Sequence, residues 1–153
     1  MKQVLFLFLL VFVFTSHADN SLNISQAWVQ EGPPNARVLA GFMDIENMTP
    51  QDISIESASS DSFKHIEFHQ TINENGMARM RQQKQLLIKS GSTLKLEYGG
   101  YHLMLIKPTS KLKAGDKITI QFILSNKQIK SIELMVKKPT TVQEGHEHHH
   151  HHH

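Results

Sequence analysis

The chain has 153 residues, enough for one domain with a real core and too few for two comfortable ones. It carries 16 Lys+Arg, 14 Asp+Glu and no cysteine, which excludes disulfides, thiolate metal centres and thiol–disulfide exchange. A charge this close to balance, without a concentrated basic surface, argues against nucleic acid as a partner.

The chain opens with MKQVLFLFLLVFVFTSHA: one basic residue (Lys2), an apolar run from Val4 to Phe14, and small residues at Ser16 and Ala18. This three-part layout predicts a cleaved export signal over residues 1–18. The run is short for a bilayer span, and no later segment is apolar enough to cross a membrane, so the mature chain is expected to be exported without a membrane span. A lipoprotein signal would need a cysteine and is excluded.

Short strands separated by turns follow. Strands are predicted over Gln26–Gln30, Val38–Glu46, Ile53–Ser59, Lys64–Thr71, Met77–Arg81, Leu86–Ile88, Leu94–Tyr98, His102–Ile106, Lys117–Leu124 and Ser131–Lys137. The turn signals between them include Gly32-Pro33-Pro34, Thr49-Pro50, Asn75-Gly76, Ser90-Gly91, Gly99-Gly100 and Ala114-Gly115-Asp116. No helix and no repeat is apparent. Many short strands at this spacing predict an all-β antiparallel β-sandwich or Greek-key barrel over residues 22–138. Residues 139–153 lose all apolar periodicity, end in six histidines, and read as a disordered tail.

Outside the signal and the tail only His65, His69 and His102 remain. Asn75-Gly76 predicts a hairpin with Lys64–Thr71 entering and Met77–Arg81 leaving. A two-residue loop makes His69 a diagonal neighbour of Met80, and a four-residue loop sets them directly opposite. Either register puts the pair on one face, within roughly 5–8 Å between β-carbons. A three-residue loop would separate them. In HLM, strand alternation puts His102 and Met104 on one face and Tyr101, Leu103 and Leu105 on the other. Two imidazole–thioether couples could thus close on one ion. Thioether sulfur is soft and uncharged, so this set suits Cu(I), whereas zinc favours thiolate, imidazole or carboxylate and magnesium or calcium require oxygen. Without a thiolate, a blue-copper electron-transfer site is excluded.

The blander readings apply elsewhere. Met43, Met48 and Met135 are expected to fill the core, and Met77 points away from Met80 and is expected to pack. His65 shares a face with His69 but lies about 13 Å along the strand, too far for the same ion. Trp28 and Tyr101 read as structural, Tyr101 with a potential supporting role behind the ligands. The NIS (23–25) and NMT (47–49) triplets match glycosylation acceptors at a level expected by chance. The late lysines, from Lys107 to Lys138, read as solvent-facing, with an acidic docking partner as the secondary reading.

His69, Met80, His102 and Met104 fit the pattern H-x10-M-x21-H-x-M, with ten residues between the first two and twenty-one between the middle two. On this motif the chain resembles the periplasmic PCuAC copper chaperones. AWVQ with the later PP (27–34), AGFMDIEN (40–47), GMARMR (76–81), GGYHLML (99–105) and LKAGD (112–116) extend the similarity over residues 26 to 136. Many members carry a further methionine just after the first histidine, where this chain has Gln70-Thr71. The resemblance implies a cupredoxin-like β-barrel in the periplasm, no enzymatic activity, and delivery of Cu(I) to a respiratory haem–copper oxidase, at the CuA site of cytochrome c oxidase subunit II, or to another copper acceptor. A thioredoxin-like copper chaperone is a further implied partner. The competing readings are a copper store or resistance protein without a dedicated acceptor, and an interaction module whose His and Met are incidental.

The terminal histidines have the form of a purification tag, or of the His-rich extensions that end some PCuAC members. Imidazoles without thioethers would suit Cu(II). Deleting residues 146–153 and titrating Cu(II) should lower the stoichiometry if the tail captures copper; unchanged stoichiometry disposes of that role.

Overall fold

The computed structural model describes residues 21–139; the expected export signal and the histidine-rich segment from residue 140 onward lie outside them. Ten strands form: β1 (Leu22–Gln30), β2 (Val38–Asn47), β3 (Ile53–Ser59), β4 (Phe63–Glu74), β5 (Met77–Gln83), β6 (Leu86–Ile88), β7 (Thr93–Leu96), β8 (Tyr101–Pro108), β9 (Lys117–Leu124) and β10 (Ile129–Lys137). Several run longer than periodicity suggests, because ends such as Ile72–Glu74 still find ladder partners. There is no helix among the described residues, hence none long and apolar enough to cross a membrane.

Period-two alternation sets the inner surface. In β9, Ile118, Ile120, Phe122 and Leu124 are buried while Lys117, Thr119 and Gln121 face outward. The strands form one sheet in the order β5-β4-β8-β7-β2-β1-β10-β9-β3-β6, with β8 also pairing β2. The sheet curls so that β3 meets β4 and β6 meets β2 and β7. Val29, Ile45, Leu103, Leu105 from one half and Ile55, Ile88, Ile120, Phe122, Leu134 from the other join in a single core. Burial of each such side chain contributes about 1.5–3 kcal/mol. The result is the expected all-β cupredoxin-like sandwich, with one departure. The pairing is mixed: β1 runs parallel to β10, with Trp28 beside Met135, and β7 touches β8 in parallel at Leu96 and Tyr101. β1 and β10 open and close the described fold, so no hairpin dictates their relative direction.

Met43 is buried, as expected, but three other methionines are not where core filling would put them. Met48, Met77 and Met135 are 64%, 56% and 44% exposed. Met48 follows the end of β2. Met135 has the outward parity between buried Leu134 and Val136. Met77 begins β5, an edge strand paired only to β4, and so has little to pack against.

Asn47 agrees with the reading of NMT as a chance match. It is fully buried, and its Nδ2 donates to the carbonyls of Gln51 (2.7 Å) and Ile88 (3.0 Å). Its Oδ1 accepts from the Thr49 N–H and hydroxyl at 3.0 and 2.8 Å. The triplet ties the β2–β3 turn to β6 and leaves no exposed amide for a glycan. Asn47→Ala strands these partners in a buried turn and should cost about 2–4 kcal/mol in urea denaturation.

Candidate metal centre

Asn75 and Gly76 both hold positive φ, 54° and 78°. That is the two-residue hairpin geometry whose twist matches the flanking strands. Glu74 therefore faces Met77 and Thr71 faces Met80. His69 pairs with Gln82, which leaves Met80 its diagonal neighbour on the same face, the first of the two favourable registers. Met77 has the opposite parity.

On its other side β4 pairs with β8, and here His69 lies directly opposite His102 and Glu67 opposite Met104. Leu103 and Leu105 are fully buried, so the alternate residues His102 and Met104 face away from the core. The four candidate side chains thus share one outer face of three adjacent strands. The His69 and His102 ring centroids stand 6.0 Å apart, with 34° between the planes. Metal–imidazole bonds of about 2 Å, as at zinc, place two rings on one ion with centroids up to roughly 6 Å apart. Met80, His102 and Met104 line one cleft of about 250 Å³ with Gln30, Pro33 and Val38. His69 does not line it; it stands behind, across from His102. His65 is exposed further along β4, opposite Ile106, away from the cluster.

The ring nitrogens are sorted by their partners. His102 is 7% exposed, and its Nδ1 lies 3.1 Å from the Gly100 carbonyl. A carbonyl only accepts, so Nδ1 carries the proton and Nε2 keeps a free lone pair. His69, with a side chain 13% exposed, has Nε2 2.8 Å from Glu67 Oε2. The carboxylate holds the proton on Nε2, and the buried Nδ1 has no hydrogen-bond partner. A buried lone pair without a donor calls for an electrophile, and a metal ion answers that need. Glu67 is the residue sequence reasoning missed. Its signal was present in EFH: two positions before His69, it had to share that histidine's face, where a carboxylate orients a ligating imidazole.

Exposure differs sharply across the set. Met80 on the edge strand is 56% exposed, whereas His102 is buried. Among the described residues no group of three His, Cys, Asp or Glu could hold a metal, so a complete donor set here needs the thioethers. Beside the cleft, Trp28, Phe42 and Tyr98 form an aromatic cluster with Trp28–Phe42 and Phe42–Tyr98 centroids 5.0 and 4.4 Å apart. The Tyr98 hydroxyl donates to Gln30 Oε1 at 2.5 Å, and burial raises its pKa. Tyr101 packs against the core on the opposite face from His102.

The fold is that of PCuAC-type domains, as the resemblance implied. The copper-bound PCuAC domain of PmoF2 superposes with a TM-score of 0.68 at 15% identity, covering 80% of this chain and 97% of that one. Cu(I)-bound DR1885 from Deinococcus radiodurans superposes with a TM-score of 0.61 at 28% identity, covering 72% of this chain and 74% of that one. The chain belongs to the family described as "Putative lipoprotein LpqE-like", whose model matches residues 22–136. Among its relatives, "Putative lipoprotein Lxx21020" of Leifsonia xyli subsp. xyli is 28% identical over 83% of this chain and 76% of its own length. The uncharacterized protein RP573 of Rickettsia prowazekii is 29% identical over 78% of this chain and 68% of its own length.

The Glu67 contact makes a prediction independent of metal. In long-range proton–nitrogen spectra of the metal-free protein, His69 should populate the Nε2–H tautomer. Glu67→Ala should remove that preference while His102, anchored to Gly100, keeps Nδ1–H.

Proposed function

We propose that this protein is a periplasmic copper chaperone, not an enzyme, that binds Cu(I) through His69, Met80, His102 and Met104. The carrying unit is the domain of residues 22–138, freed from its export signal over residues 1–18. The observation that supports this most directly is the convergence of two imidazoles and two thioethers on one sheet face, with His69 presenting an unpartnered buried Nδ1. Likeness to copper-bound PCuAC domains supports the same reading.

The chemistry follows from the donors. All four ligands are neutral, so a Cu(I) complex retains one positive charge and a Cu(II) complex would retain two; the lower charge is favoured where only one carboxylate is near. Glu67 supplies that carboxylate without ligating. It balances the single charge through the His69 ring and holds the tautomer that presents Nδ1. His69 would bind through Nδ1 and His102 through Nε2, the nitrogens their hydrogen bonds leave free.

Release is built into the burial gradient. His102 sits on a central strand and is held by Gly100, while Met80 sits on the exposed edge strand β5. An acceptor's ligand can replace Met80 first and the buried imidazole last, so the ion changes hands without being free in water. A storage cage would instead enclose its sulfur ligands. The acceptor we propose is the CuA site of a haem–copper oxidase subunit II.

Cu(I) competition titration of the chain lacking residues 146–153 should give one tight site. Met80→Leu or His102→Ala should weaken it by at least about 100-fold, since losing even an indirect partner of a metal ligand costs 10–100-fold. Unchanged affinity in both variants refutes the ligand set. Transfer of Cu(I) to an apo CuA domain then separates chaperone from store.

A further inference from the structure

A cleft larger than the candidate copper cleft lies next to it. It measures about 800 Å³ and lies between the β1–β2 loop and the β8–β9 connection. Arg37, Lys64, Lys107, Lys111 and Lys113 line it, against a single acid, Glu31. All five cations are exposed. Among the described residues none of them enters an ion pair, although Arg79, Arg81, Lys117 and Lys127 elsewhere all do. The nearby Asp116 carboxylate accepts the backbone N–H of Lys113 at 2.7 Å and leaves its ammonium free. In a chain with 16 basic and 14 acidic residues, five uncompensated cations around one concavity form a strong local field.

The cleft is also tied to the copper site. Glu31, Gly32, Pro33 and Leu39 line both cavities, so the loop Glu31–Pro33 is the wall between them. That wall is tightly seated: a β-carbon on Gly32 would come within 2.5 Å of Leu39 Cδ2 and 2.7 Å of Ala36 Cβ. Lys107 lies on β8, the strand of His102 and Met104, with φ of 53° and its N–H donating to the Arg37 carbonyl at 2.7 Å. A left-handed conformation is strained for a lysine, here at the rim of the basic cleft.

The geometry points to a docking site for a carboxylate-rich segment of the copper-accepting protein, engaged while that protein's ligands enter the adjoining copper cleft. This rests on the chaperone reading and names the chemistry of its partner. An acceptor close enough to replace Met80 must cover the Glu31–Pro33 wall, and beyond it meets five cations. Exposed charges of this kind speed encounter and set orientation more than they add affinity.

The test titrates the nitrogen-15-labelled full chain, free of copper, with a synthetic hexaglutamate peptide, and in parallel with hexalysine and inorganic phosphate. Hexaglutamate should shift the amides of residues 31–37 and 107–113. The effect should fade as salt rises from about 0.05 to 0.2 M, where screening shortens to roughly 8 Å. Lys111→Glu with Lys113→Glu should weaken peptide binding about tenfold, leave the remaining spectrum and the Cu(I) affinity unchanged, and slow transfer to an apo CuA domain on the order of tenfold. Shifts that spread over the surface, an equal response to hexalysine, or phosphate acting as strongly as the peptide would overturn the proposal, the last by showing a small-anion site. If the wild-type chain transfers copper to no oxidase domain, the delivery reading fails while the peptide titration still decides the cleft.

Discussion

Strand β8 lies between β4 and β2, and its pairing with β4 governs the face that matters. That ladder sets His69 opposite His102 and Glu67 opposite Met104. Because strand side chains alternate, a one-residue slip would turn one histidine toward the core and set the other against Leu103, Tyr101, Phe68 or Gln70. The slip is resisted from beneath. Leu103, Leu105 and Phe68 occupy the inward positions of the same two strands, and all are buried. The core side of β4 and β8 thus determines the geometry on their solvent side, and the candidate metal face is a by-product of apolar packing one layer below.

The hairpin adds the fourth proposed donor, Met80, with less constraint. The Asn75-Gly76 turn sets its register, but β5 has no second neighbour and nearly every residue in it is exposed. Rigid imidazoles on central strands and a thioether on a free edge form a graded site, firm on one side and open on the other. A carrier needs this asymmetry: preorganised donors give capture, and one easily displaced donor gives release. Glu67 belongs to the firm side, since its hydrogen bond determines which nitrogen of His69 is presented.

Around the cleft the surface is unevenly furnished. Trp28, Phe42 and Tyr98 supply an aromatic flank, with Tyr98 bonded to Gln30 at the cleft lining. Across the Glu31–Pro33 wall lies the basic concavity. The proposed copper cleft thus has aromatic rings on one side and cations on the other.

Alternation alone made the strands, the outward pairing of His102 with Met104 and the opposite parity of Met77 legible from residue order. Asn-Gly made the hairpin legible, because only left-handed residues close so tight a turn. The donor types themselves identified a soft monovalent ion, since that preference belongs to sulfur and nitrogen and needs no coordinates. Other features depend on which strands become neighbours, which local sequence does not encode. The direct His69–His102 pairing, the parallel contact of β1 with β10, the burial of Asn47 and the exposure of Met48 and Met135 are of this kind. So are the Glu67 bond, which needed the backbone to bring a carboxylate beside one ring nitrogen, and the gathering of Arg37, Lys64 and Lys107–Lys113. Those cations are scattered along the chain, and only the curl of the sheet sets them around one cleft.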